Sequence, residues 1–238
     1  MTISPELLLP LSSLGLAAAP VAVAFVTTPP PGLRRVERSE PAGCGYWKLA
    51  SEGHAFYTTP DDHVNCAVGA FTHGVALSQA QSEELQALVG TMVELKYIRS
   101  TEVPGIPRRT EPLEVAAYAP LDRAPFEPDL VVFRGNVRQM MLLSEAAHAA
   151  GIFEGNPVMG RPACAMLPQT VNSSSATASV GCIGNRVYTA LGDGELYLAV
   201  PGPKLAAMLG HLQTIISANA ELEKFHRSRA AALSGPLN

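Results

Sequence analysis

The four cysteines of the chain fall into two similar brackets, Cys44 to Cys66 and Cys164 to Cys182. Each bracket closes on a cysteine followed by a glycine turn: Cys66-Ala67-Val68-Gly69-Ala70 in the first and Cys182-Ile183-Gly184-Asn185-Arg186 in the second. One pattern used twice suggests two pseudo-equivalent halves, 1–119 and 120–238, and such halves usually meet at a shared cleft. Chance recurrence of small-residue turns is the competing explanation, since matches this short carry little specificity.

Whether the thiols are needed as staples depends on how much core the chain can build. With 238 residues, 47% of them apolar and 16% charged, it can bury a large core without disulfides. The formal charge of -4 and the short basic clusters, Arg34-Arg35 with Arg38 and Arg108-Arg109, give no stripe that could track phosphates, so no nucleic-acid partner is expected. The stretch from Ile3 to Val26 lacks Lys and Arg. It also lacks the basic start of a signal peptide, is interrupted by Pro5, Pro10 and Pro20, and carries Glu6. No membrane partner is expected from it. A cytoplasmic location with four reduced thiols follows as an expectation.

Periodicity supplies the elements. A helix is expected over 5–17 and a buried strand from Pro20 to Val26, ended by Pro29-Pro30-Pro31-Gly32. An irregular Gly- and His-rich region is then expected as far as Gly74. Ser78 to Arg99 reads as a helix with Leu85, Leu88, Val89, Met92, Val93 and Tyr97 on one face. A Pro- and Arg-rich loop, Pro104 to Pro112, precedes strands at Leu113–Ala119 and Leu130–Phe133. Asn136 is placed to cap a helix that stops at Gly151.

In the last third, Asn172 to Ser179 reads as a Ser-rich loop and Glu195 to Val200 as a strand. Gly202-Pro203 opens a long helix whose charged tail, 220–238, is expected in solvent. Asp129 is placed to cap a turn, and Asp193-Gly194 reads as a hairpin turn. The whole chain is therefore expected to form one α/β (mixed α+β) domain over 1–238, a mixed sheet with flanking helices. Its final helix offers a surface for a homodimer.

Four soft thiols could together hold an iron-sulfur cluster or a tetrahedral metal, so Cys44, Cys66, Cys164 and Cys182 are the candidate metal ligands. No CxxC pair is present, and the fold would have to assemble such a site from distant positions. The bland reading of any single cysteine is an inert core thiol. His54, His63 and His73 surround Cys66 and raise a mixed Cys and His site or a haem axial ligand as further options. More often, histidines in such a setting are polar loop residues near a surface.

Gly69 and Gly184 would let the backbone approach a cofactor, and Arg186 could contact a carboxylate or phosphate, with hydroxyls from Ser173, Ser174 and Ser175 nearby. A redox metallocofactor at a cleft of cysteines and glycine turns is the leading reading. An anionic small molecule held without turnover is the alternative. A cysteine nucleophile activated by His63 or His73 is a third option, without a legible triad.

Several segments together resemble a known family: Pro20-Val21-Ala22-Val23, Cys66-Ala67-Val68-Gly69-Ala70, Phe126-Glu127-Pro128-Asp129-Leu130-Val131-Val132, Asn136-Val137-Arg138-Gln139-Met140, and Gly181-Cys182-Ile183-Gly184-Asn185-Arg186 followed by Glu195. In this order, from about Pro20 to Leu212, they resemble the bacterial and archaeal family called domain of unknown function 169. Where such proteins read Asn-Pro-x-Gln, this chain has Val137. The resemblance implies a cytoplasmic, single-domain α/β protein with cysteines near a common site. It supplies no reaction.

Overall fold

The computed structural model describes residues 5–152 and 162–233. In chain order the elements are α1 (Pro5–Ser12), β1 (Val21–Val26), α2 (Gly43–Ser51), β2 (Phe56–Thr58), α3 (Ala67–Thr72), α4 (Gln79–Glu94), β3 (Val115–Pro120), β4 (Leu130–Asn136), α5 (Val137–Ala149), α6 (Met166–Ser173), β5 (Thr177–Ser179), α7 (Ile183–Thr189), β6 (Glu195–Pro201) and α8 (Leu205–Leu233). The mixed α and β class expected from the sequence is observed. The six strands form one sheet in the order β2-β3-β1-β4-β6-β5, and every ladder between them is antiparallel, so the sheet is not the mixed one expected.

Alternation along the central strands gives the sheet two apolar faces, because successive side chains point to opposite sides. Val21, Val23, Leu130, Val132, Tyr197 and Ala199 face one core, which holds α2, α6, Cys44 and Cys164. Ala22, Val131, Phe133, Leu198 and Val200 face the other, against α1, α5 and α8. The outcome is a three-layer arrangement with the cysteine-bearing elements gathered on one face.

The strand order has a regularity of its own. Outward from the β1–β4 junction, each side runs first, third, second strand of its own half of the chain: β1, β3, β2 on one side and β4, β6, β5 on the other. The crossovers match as well. Cys44 stands between the first and second strands of its half and Cys66 between the second and third; Cys164 and Cys182 hold the same places in the other half.

Asp129, expected to cap a turn, instead bonds across to a neighbouring strand. The β1–β4 ladder ends at the Val23–Leu130 pair, and the Asp129 carboxylate then accepts the Phe25 amide at 2.6 Å. Asn136 caps α5 reciprocally with Gln139: the Asn136 side chain accepts the Gln139 amide at 3.0 Å, and the Gln139 carbonyl accepts the Asn136 amide at 2.9 Å. The box forms with Val137 at the first position of the helix. The Gln139 amide group also donates to the Leu14 and Gly15 carbonyls, both at 2.9 Å, fastening the turn after α1 to α5.

Three further expectations need correction. The region before Gly74 is ordered: it contains α2, β2 and α3, short elements set by burial of Tyr46, Trp47 and Phe56 more than by a long periodic pattern. The Ser-rich segment is the end of α6 followed by β5, whose Thr177, Ala178 and Ser179 are all buried. The apolar face of α4 does not enter a core, since no residue of that helix is buried. The charged end of α8 is exposed as expected, with an ion pair from Glu223 to Arg138 of α5; residues 234–238 of the expected tail lie outside the described residues. Among the described residues, no helix is long and apolar enough to cross a membrane.

Candidate functional site

Cys44 sits in the first turn of α2 between two glycines, and the packing explains both. A Cβ on Gly43 would stand 3.0 Å from the His63 ring, and one on Gly45 would stand 2.6 Å from the Glu40 carboxylate. Cys66 is the N-cap of α3, and its sulfur accepts the Gly69 amide at 3.4 Å. Cys182 is the N-cap of α7 but makes no side-chain capping bond. Cys164 lies in the 3₁₀ turn Ala163–Ala165 that leads into α6. The glycine turns expected after Cys66 and Cys182 are thus helix starts, with Gly69 and Gly184 inside the first turns of α3 and α7.

All four cysteines line one cavity of about 460 Å³. Gly69 and Gly184 line it too. All four sulfurs are free thiols, Cys44 and Cys164 buried and Cys66 and Cys182 half-buried. Burial pushes the Cys44 thiol up to about 12, against a smaller opposing effect of Asn185. Burial also raises Cys66, opposed by the Gly69 amide, and raises Cys164 most strongly, opposed by the Thr72 hydroxyl. Among the described residues, no three His, Cys, Asp or Glu side chains are grouped closely enough to hold a single metal ion. The thiols are distributed around the cavity wall.

The remaining expected site residues lie elsewhere. Arg186 donates to the Val180 carbonyl at 2.7 Å and the Gly192 carbonyl at 3.2 Å, holding the loops on either side of α7. Ser173 and Ser175 donate to the carbonyls of Gln169 and Ile152. None of these three lines the cavity. His54 is exposed, whereas His63 and His73 are buried behind the Gly43 wall with their rings stacked at 5.4 Å. His63 Nε2 lies 2.8 Å from the Thr58 hydroxyl and His73 Nδ1 2.9 Å from the Gly69 carbonyl, so neither imidazole is presented to the cavity.

Two contributors escape a reading of the sequence. Asn185, in the first turn of α7, lines the cavity at 2% exposure, and neither its side-chain oxygen nor its nitrogen has a hydrogen-bond partner of normal geometry. The signal for it was the Gly184-Asn185 step beside Cys182, where a small residue brings the next polar one against the wall. The second contributor is a roof. Residues 75–108 leave the body at Gly74 and return at Arg109, and the two ends are pinned together where the Arg109 amide meets the Thr72 carbonyl at 2.9 Å and the Leu113 amide meets the Gly74 carbonyl at 3.2 Å. Leu88, Val89 and Met92 of α4, with Val103 and Ile106 beyond it, cover the thiols. The apolar stripe on α4 was legible, but its destination was not.

The sequence profile of the DUF169 family, described as Uncharacterised ArCR, matches residues 11–211. An uncharacterized protein of Methanocaldococcus jannaschii is 29% identical over 160 residues, covering 65% of this chain and 68% of its own length. No solved structure matches the chain. With the profile spanning both halves of the sheet and all four cysteines, the chain belongs to the DUF169 family.

Proposed function

We propose that the four cysteines are ligands to one soft metallocofactor, an iron-sulfur cluster, and that the protein has a redox role. The observation that carries this reading is the convergence of Cys44, Cys66, Cys164 and Cys182 on one cavity from four separate elements. Matching places in the two halves of the sheet support it, because an internal pseudo-repeat would supply two thiols from each half. Residue choice supports it too. Ser, Thr, Asp and Asn cap helices better than cysteine does, yet α3 and α7 both begin at a cysteine.

That no three His, Cys, Asp or Glu side chains among the described residues are grouped to hold one ion favours a cluster over a lone ion. A single zinc requires all four sulfurs within about 2.3 Å of one point, whereas a cluster places several metals between its thiolates. Thiols spread around a wall suit the second. Loading must remove the thiol protons, so affinity should rise with pH, most steeply where burial holds Cys44 and Cys164 protonated. A reducing compartment such as the cytoplasm would keep the thiols available. Oxidised and reduced cluster states would then exchange single electrons with a partner.

Anaerobic purification followed by an absorption spectrum and iron and sulfide analysis tests the reading. Visible charge-transfer bands and bound iron, lost in Cys66→Ser and Cys182→Ser, are expected. Colourless protein of full stability that takes up neither iron nor sulfide would overturn it.

A further inference from the structure

We propose that the same cavity also binds a neutral, largely hydrocarbon small molecule carrying one uncharged hydrogen-bonding head, with the head at Asn185 and the body beneath the 75–108 roof. The proposal shares its cavity with the thiol site, and it relies on the metallocofactor reading only for the ligand's role as that cofactor's substrate.

The composition of the wall sets the ligand's charge. Among the described residues, no Lys, Arg or His lines the cavity, and the one carboxylate among them that does, Glu102, is engaged by Arg99 at 2.8 Å. An anion would enter without a countercharge, at the cost of its hydration. The roof residues Leu88, Val89, Met92, Val103 and Ile106 offer only hydrocarbon and a thioether. Met92 is the adaptable member of this set, suited to contact a flat or branched body.

Asn185 sets the head group. Asn185 is 2% exposed and lines the cavity beside the Cys44 thiol, whose pKa its side chain lowers, and neither its side-chain oxygen nor its nitrogen has a hydrogen-bond partner of normal geometry. Buried amides of this kind cost stability unless they are paired. A carboxamide satisfied by a ligand selects one that can donate and accept together, as an alcohol, amine or amide does. The cavity volume of about 460 Å³ falls in the range of small-molecule sites.

The roof gives the molecule its way in. Helix α4 and the 3₁₀ turn Ser100–Gly105 contain no buried residue, so they can separate from the body without exposing a core, while the pinned ends at Gly74 and Arg109 keep the excursion in register.

The test uses the metal-free full chain and a neutral naphthylamine dye that fluoresces in apolar surroundings, compared with its sulfonated analogue. The neutral dye should bind with one-to-one stoichiometry, and the sulfonated form at least 10-fold more weakly. Met92→Lys should weaken the neutral dye at least 10-fold and Asn185→Leu about 5-fold, while Leu95→Lys, on the outer surface at 74% exposure, should leave it unchanged. Thermal unfolding checks that each variant is folded. If Met92→Lys does not fold, Val103→Asn at the other end of the roof provides the same reading.

Equal or tighter binding of the sulfonated dye would overturn the proposal, as would equal effects of Met92→Lys and Leu95→Lys, or an unchanged Asn185→Leu. Iron and sulfide uptake by Met92→Lys is scored separately. Dye binding without iron uptake defeats only the cofactor reading, and iron uptake without dye binding defeats only this one.

Discussion

Arg134 and Glu195 meet on one face of the sheet at the β4–β6 ladder, with guanidinium Nη2 2.6 Å from carboxylate Oε2. The same guanidinium donates to the Thr189 carbonyl at 3.0 Å and the Ala190 carbonyl at 2.7 Å, at the end of α7. The pair thus holds the far end of the helix whose start is Cys182 and whose first turn carries Asn185. Arg134 and Glu195 do not touch the cavity, yet they set the position of its α7 wall.

Arg134→Ala should therefore cost about 2–3 kcal/mol of unfolding free energy, as expected for charge-assisted hydrogen bonds in a partly buried site. Arg134→Lys should recover only part of it, since an ammonium cannot span the carboxylate and both carbonyls. Urea denaturation checks both. In the folded Arg134→Ala protein, Cys182 should alkylate faster than in the parent chain.

Acid should destabilise the protein well above the usual carboxylate range. Burial holds the imidazole of His63 down at about 3 and that of His73 at about 4, and each is neutral in the folded state. In the unfolded chain both protonate near 6.5, so the stabilising preference for neutral rings is full above that value and is lost as pH falls through it toward 4. Uptake of two protons on unfolding gives a limiting slope of about 2.7 kcal/mol per pH unit in that window. Glu195, held low by Arg134, adds a loss in the same direction below about 4.5. Urea titrations at a series of pH values measure the slope.

Gly74→Ala should loosen the roof. Gly74 has φ +74°, and a Cβ there would stand 2.7 Å from the Glu111 carbonyl oxygen, at the point where the two ends of the 75–108 excursion are joined. The left-handed backbone alone costs a non-glycine residue about 1–2 kcal/mol. Limited proteolysis should cut the variant between residues 95 and 107 sooner than the parent chain, with the sheet intact.

Without cofactor, the thiols should divide by exposure. Cys66 and Cys182 are half-buried and should react first with a disulfide reagent; Cys44 and Cys164 are buried and should lag well behind until the protein is unfolded. Stopped-time mass spectrometry resolves the two classes.

Long or strongly periodic elements were legible in the sequence: the Asn136 cap and the helix after it, the Glu195 strand and the α8 pattern all appear close to the expected places. The short ones were not. α2, α3 and α7 run six to nine residues and begin at residues without a helix-start signal, because a Gly-Cys-Gly start, or a cysteine followed two or three residues on by glycine, is chosen by what packs against it. Spacing alone marks Cys44, Cys66, Cys164 and Cys182 as a set, and the fold brings all four to one cavity. Arg186 was named on its charge, and the fold uses that charge to bind backbone carbonyls. Asn185 and the α4 roof depend on tertiary placement that no local pattern encodes.

The central claim is that four distant thiols act on one ligand. Alkylation of each cysteine, followed by mass spectrometry before and after anaerobic incubation with ferrous iron and sulfide, measures it directly. Joint protection of Cys44, Cys66, Cys164 and Cys182, lost together when any one of them is changed to serine, is the expected result. Four independent rates, unchanged by iron and sulfide, would contradict it.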